Sequence, residues 1–169
     1  MNARALVIGS LALLATTLPA LADDAMCSKL QWNLDAERAL LNGTVDAFPS
    51  GETRKAMPAR AISLMLKPGA QAALPTPSSK PADAAKFAGF VILPMTAAGD
   101  YVVSLSAEGW IDVVQDGQMV NSTAHTGDSN CPGLRKSVRF TLAAKPVTLQ
   151  ISNAPADHIE IAVTPAPKP

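Results

Sequence analysis

From Arg60 to Val163 the chain repeatedly alternates apolar and polar residues with a period of two, interrupted by short groups of turn-forming residues. Ile62, Leu64 and Leu66 alternate with Ala61, Ser63 and Met65, and Lys67-Pro68-Gly69 ends the run, as expected of a half-buried strand. Phe87 to Leu93 is a nearly continuous apolar strand, and Ala98-Gly99-Asp100 turns the chain. Tyr101, Val103 and Leu105 then oppose Val102, Ser104 and Ser106. Trp110 to Gln115 is the next strand, and Asp116-Gly117 is the two-residue signature of a hairpin with a type I′ turn. A loop is expected from Asn121 to Arg135. Three more alternating runs follow, carrying Val138, Phe140 and Leu142; Val147, Leu149 and Ile151; and Ile159, Ile161 and Val163.

About seven or eight short strands with one apolar face each imply two packed sheets, so the predicted fold is all-β, an antiparallel β-sandwich of jelly-roll or immunoglobulin-like type. No helical pattern alternates with the strands, which excludes a parallel α/β sheet. One short N-terminal helix is expected. Ser28-Lys29-Leu30-Gln31 fits a capping box, and Trp32 to Leu41 is rich in helix formers, with Leu34, Arg38 and Leu41 on one face. Asn42-Gly43 ends it, and a polar loop runs through Pro49-Ser50-Gly51. Leu74 to Pro81 holds three prolines and two serines; it reads as an irregular edge or an internal linker, because proline is excluded from central strands.

The first 22 residues change the picture of where the protein works. Arg4 supplies a positive start, Ala5 to Leu18 an apolar run, and Ala20-Leu21-Ala22 the small residues that precede signal-peptidase cleavage before Asp23. The run is shorter than the roughly 20 residues of a membrane span. The expected organisation is therefore a signal peptide (1–22), one β-sandwich domain (23–164) and a Pro-rich tail (165–169), with no membrane span after cleavage. Losing Arg4 leaves 13 basic and 14 acidic residues, which gives no reason to expect nucleic acid as a partner. Aromatics make up only 4% of the chain, which with abundant Ala fits a high-GC bacterial coding sequence and a periplasmic or secreted location. Cys27 and Cys131 are an even pair in an oxidising compartment, and read first as a disulfide closing a loop of about 100 residues. A reactive thiol pair and metal ligation are the alternatives.

The stretch Ala98-Gly99-Asp100-Tyr101-Val102-Val103-Ser104-Leu105, followed by Trp110-Ile111-Asp112-Val113-Val114-Gln115-Asp116-Gly117, resembles the middle of bacterial prepeptidase C-terminal-type sandwich domains. Phe140-Thr141-Leu142 and Val147-Thr148-Leu149-Gln150-Ile151 extend the likeness, which covers Phe87 to Val163. The Trp110–Gln115 and Cys131–Phe140 segments also resemble those of a group of short secreted proteobacterial proteins, some labelled homogentisate dioxygenase. That label implies iron, and the residues argue against it. A non-haem iron oxygenase needs two His and a carboxylate on one face of the metal, and this chain has only His125 and His158, without ligand-like spacing. The methionines show no Met-x-Met clustering for copper, and no Gly-x-Ser-x-Gly or Ser-x-x-Lys motif marks a nucleophile. Asn42-Gly43-Thr44 and Asn121-Ser122-Thr123 match the glycosylation pattern, which matters only in a eukaryotic host.

One cluster carries possible chemistry. Trp110, Asp112 and Val114 share a strand face; His125, Asp128 and Asn130 lie in the loop after it, and Arg135, Lys136 and Arg139 follow Cys131. An aromatic plane beside carboxylate, amide and guanidinium groups can stack on and hydrogen-bond a sugar or peptide. The candidate ligand-binding residues are therefore Trp110, Asp112, His125, Asp128 and Arg135; no catalytic residue, metal site or cofactor is expected. The alternative is that Trp110 and Val114 belong to a core covered on both faces. The expected function is a non-catalytic exported module binding a carbohydrate, peptide or envelope protein in the bacterial cell envelope. The rival is a periplasmic enzyme, metal-dependent or hydrolytic, using His125 and nearby carboxylates.

Overall fold

The computed structural model describes residues 26–166. The expected signal peptide and cleavage site, and the last three residues of the expected Pro-rich tail, lie outside them. Two six-stranded sheets face each other. The strands are β1 (Asp46–Pro49), β2 (Glu52–Thr53), β3 (Ile62–Met65), β4 (Lys67–Pro68), β5 (Phe87–Pro94) and β6 (Gly99–Leu105), followed by β7 (Trp110–Gln115), β8 (Gln118–Met119), β9 (Ser122–Gly127), β10 (Lys136–Leu142), β11 (Pro146–Ala154) and β12 (His158–Pro165). One sheet runs β1-β3-β12-β6-β10-β9 and the other β2-β5-β11-β7-β8, with β4 paired to β5. The all-β sandwich read from the alternation is present.

The pairings are antiparallel except β1 with β3 and β2 with β5, which are parallel. Parallel neighbours need a crossover of about a dozen residues, and residues 50–61 supply it. The crossover itself carries β2 of the opposite sheet, so the chain changes sheets at Ser50-Gly51, where Gly51 adopts φ +95°. The polar loop expected through Pro49-Ser50-Gly51 is a tight turn at Ser50-Gly51, with Pro49 closing β1. A second expected loop, Asn121 to Arg135, contains β9, which pairs with β10 from Lys136↔Gly127 to Phe140↔Ser122. Ser-Thr-Ala-His-Thr-Gly has no apolar face because β9 is a sheet edge, so periodicity could not reveal it.

The inward residues of both sheets form the main core, with Leu64, Val91, Leu93, Leu105, Leu149, Ile151 and Ile159 at most 1% exposed. A smaller cluster lies on the outer face of the first sheet. There α1 (Asp35–Leu41) packs on β12, burying Leu34, Leu41, Val102, Leu134 and Ala162, and Thr164 Oγ1 donates to the buried Glu37 carboxylate. The helix is shorter than expected. Its N-cap is Leu34, and Asn33 Oδ1 accepts the Asp35 amide at 2.9 Å, while Cys27–Leu30, which takes in most of the Ser28–Gln31 stretch, forms a separate turn. Cys27 and Cys131 are joined by a disulfide, Cα to Cα 4.5 Å, tying the N-terminal turn to the loop before β10. No helix of the described residues is long and apolar enough to cross a membrane.

Candidate functional site

Polar residues on the outer face of β7 and β11 determine what covers the second sheet. Asp112 lies opposite Gln150 in the ladder, and Trp110 opposite Ser152. Asp112, Gln150 and Ser152 are nonetheless buried, at 6%, 1% and 2% exposure. Buried polar groups need partners. The Pro-rich segment provides them, running across this face as a strap. Pro75, Pro77 and Pro81 lack amide protons and cannot extend a ladder, so the strap is held by side chains. Gln150 Oε1 accepts the Thr76 amide and Gln150 Nε2 donates to the Thr76 carbonyl, both at 3.0 Å. Asn153 bonds the Pro81 carbonyl and the Asp83 amide at 3.0 and 2.8 Å. The segment expected to be an edge or linker is thus a cover.

Asp112 is the main fastening. It accepts from Ser78 Oγ at 3.0 Å, Ser79 N at 3.1 Å, Ser79 Oγ at 2.5 Å and Trp110 Nε1 at 3.1 Å. The proton that Ser78 gives to Asp112 leaves its oxygen to accept from Ser152, 3.0 Å away. Trp110 Nε1 also donates to Ser79 Oγ at 2.8 Å. The polar edge of the indole is therefore fixed to the strap, while the half-buried ring borders an open cleft of about 520 Å³.

Three pieces of chain meet at this cleft: Lys80, Pro81, Asp83 and Lys86 of the strap; Glu108, Gly109 and Trp110 leading into β7; and His125–Gly127 with Arg135 and Lys136 across β9 and β10. The last two segments approach closely. A Cβ on Gly127 would come within 2.8 Å of the Arg135 carbonyl oxygen, so only glycine fits there. Lys136 Nζ lies 4.4 Å and Lys80 Nζ 5.0 Å from the Trp110 ring centroid, so both ammoniums are within cation–π range. They are then no more than about 9.4 Å apart, and repel each other by on the order of 1 kcal/mol in a partly solvated site. Burial first, then the charges of Lys80 and Arg135, pull the Lys136 ammonium below the usual lysine range, against Asp112 and Glu108. Among the described residues, Lys80, Lys86, Arg135 and Lys136 make no ion pair. A second hollow of about 380 Å³ shares Trp110, His125 and Lys136, and has Ile111, Val120, Val138 and Phe140 as its apolar floor.

Of the five residues singled out by sequence, Trp110, His125 and Arg135 come together in the first cleft. Asp112 borders the second hollow with its oxygens committed to the strap. Asp128 borders neither. It is 2% exposed and accepts the Lys29 and Asn130 amides at 3.1 and 3.0 Å, which hold its carboxyl below the ordinary range. With Thr126 Oγ1 accepting the Gln31 amide, it anchors the N-terminal segment beside the disulfide. Arg139 departs from its neighbours, its guanidinium lying 5.0 Å from the Trp32 ring. Lys80, Lys86 and the strap were missed. Their trace in the sequence is the row of polar residues Asp112, Gln150 and Ser152 on strands whose other face is core.

For catalysis the geometry is sparse. Among the described residues, no three His, Cys, Asp or Glu side chains are grouped to hold a metal ion. His125 and His158 sit on β9 and β12, three strand positions apart in one sheet, or about 14 Å at the usual spacing. Among the described residues His158 bonds only its neighbour Asp157, at 2.9 Å, which raises its pKa. No serine hydroxyl is hydrogen-bonded to either histidine among the described residues. Comparison with protein families, with curated proteins and with solved structures finds no match.

Proposed function

We propose that the protein is a non-catalytic exported sandwich module that binds a ligand of the bacterial cell envelope in the cleft beside Trp110. The observation that carries this reading is a half-buried indole, hydrogen-bonded at its polar edge, beside an open cleft bordered by four cationic side chains that make no ion pair among the described residues. A volume of about 520 Å³ is in the range of small-molecule sites, and the cleft is bounded by sheet ends and a bonded strap, so it is already formed before a ligand arrives. The leader at 1–22 and the disulfide support export. Intact mass of periplasmic material is expected to correspond to a chain beginning at Asp23.

The binding reading is tested with ¹⁵N-labelled protein titrated with muropeptides, core oligosaccharides and short peptides of the envelope. The Trp110 indole cross-peak is expected to move saturably with one class while that of Trp32, on the opposite sheet, stays in place. If every cleft resonance stays still across the whole panel, phosphorylated compounds included, the module does not bind there.

A further inference from the structure

We propose that the cleft beside Trp110 is a receptor for a dianionic phosphate monoester group. This rests on the binding reading above and names the chemistry of its ligand. The lining brings four cations, Lys80, Lys86, Arg135 and Lys136, against the two carboxylates Asp83 and Glu108, an excess of two positive charges; Asp112, behind Trp110, does not line this cleft and has its oxygens taken up by four hydrogen bonds. A phosphate monoester carries about −1.5 to −2 at neutral pH, whereas a carboxylate or sulfate ester carries one charge and leaves the excess half compensated.

The cations come from separate stretches of chain: the strap brings Lys80 and Lys86, and the approach to β10 brings Arg135 and Lys136. Local sequence does not force them together; the closed strap does. Trp110 then holds two ammoniums about its ring, and Arg135 adds the planar fork that suits two oxygens of one phosphate. The adjoining hollow, floored by Val138 and Phe140, lies past Trp110 and takes the uncharged body of the ligand. That places the charged group at Lys136, which borders both spaces.

The source of the phosphate is read from three probes: inorganic phosphate, a hexose 6-phosphate, and vesicles containing phosphatidate. Each is followed by the cross-peaks of the Trp110 indole and the Arg135 and Lys136 amides at pH 7.5 and low salt. The unphosphorylated hexose, a singly charged sulfate ester (methyl sulfate) and vesicles of phosphatidylcholine alone serve as controls. Saturable shifts with at least one phosphate probe, at least tenfold tighter than with its control, are expected. Response to phosphate alone, to the sugar phosphate or to the vesicles identifies the source. The double substitution Arg135→Gln with Lys136→Met is expected to weaken binding at least tenfold. Lys80→Met, on the exposed strap where folding is not at stake, is expected to weaken it about threefold. Equal shifts with the hexose and its phosphate, or affinity unchanged in Lys80→Met and in the double variant, overturn the proposal. If the phosphate probes fail while a neutral oligosaccharide or peptide moves the same cross-peaks, the phosphate assignment is lost and the binding module stands.

Discussion

Replacing Asp112 by alanine should release the strap. The carboxylate is 6% exposed and accepts four hydrogen bonds, three from Ser78 and Ser79 and one from Trp110. Hydrogen bonds to a charged acceptor contribute about 1.5–3 kcal/mol each, yet four such figures do not add here. Ser79 is exposed and the indole half-exposed, so water replaces much of what these donors lose. The best-shielded part of the loss is the half-buried Ser78, whose hydroxyl also links Asp112 to the buried Ser152. A net cost of about 3 kcal/mol follows, a large share of the 5–15 kcal/mol typical of a domain. The strap keeps its bonds to Gln150 and Asn153, so the damage should be local first. Urea denaturation gives the total, and hydrogen exchange at the Ser79 amide, which donates to Asp112, gives the local part. Asp112→Asn should fall between, since its amide group opposes one of the N–H or O–H donors. A loss under about 1 kcal/mol with the Ser79 amide still protected would mean that the strap is held elsewhere.

Cys131→Ser opens a link between residues separated by 104 positions, and should cost about 2–5 kcal/mol in chemical denaturation; an unfolding midpoint that does not change when the native protein is reduced would refute this. Asp128 should make the protein sensitive to acid. Its pKa is depressed in the fold by the Asn130 and Lys29 amides, so its contribution is complete above the unfolded value near 3.8 and is lost as pH falls through the lower folded value. Asp128→Asn should therefore flatten the dependence of the urea midpoint on pH below about 4, and an unchanged slope would count against the anchor. Trp110→Ala removes a ring outside the main core cluster, so its cost should be about 1–2 kcal/mol, below the 3–5 kcal/mol of a core tryptophan; a larger loss would place the ring in the core.

How far the sequence could be read depended on whether burial left a periodic trace. Ile111 and Val113, or Leu149 and Ile151, alternate because one face meets the core, and those strands were legible. β9 at the sheet edge buries too little to alternate and was read as a loop, and the short sheet-switching β1 and β2, either side of the loop read at Pro49-Ser50-Gly51, were not read as strands. The helix was placed too early because Ser28 and Gln31 match a capping pattern, while the disulfide draws that stretch into a turn. At the site, Trp110, His125 and Arg135, grouped from chain neighbourhood and strand parity, border one cleft. Asp112 and Asp128 were not distinguished from solvent-facing acids. A carboxylate bound by amides more than thirty positions away, such as Ser79 to Asp112 or Lys29 to Asp128, has the same composition as an exposed one.

The strap makes stability and binding two readings of one structure. Its proline content lowers the entropy lost on ordering, and its side-chain bonds put Lys80 over the ring that Lys136 approaches from the other sheet. The two lysines gather like charge, a cost that the unliganded fold carries and an anion would relieve. Under the phosphate proposal, ligand should therefore tighten the strap as well as fill the cleft. At 100 times the dissociation constant a ligand that binds only the folded state adds about 2.7 kcal/mol, comparable with the loss expected for Asp112→Ala. Because that substitution frees the segment carrying Lys80, it should also weaken phosphate binding although Asp112 is itself an anion beside the site. A simple electrostatic view predicts the opposite, tighter binding once a nearby negative charge is removed. The sign of the change in affinity, read by titrating the variant with hexose 6-phosphate, separates a strap that builds the cleft from a cleft made by charge alone.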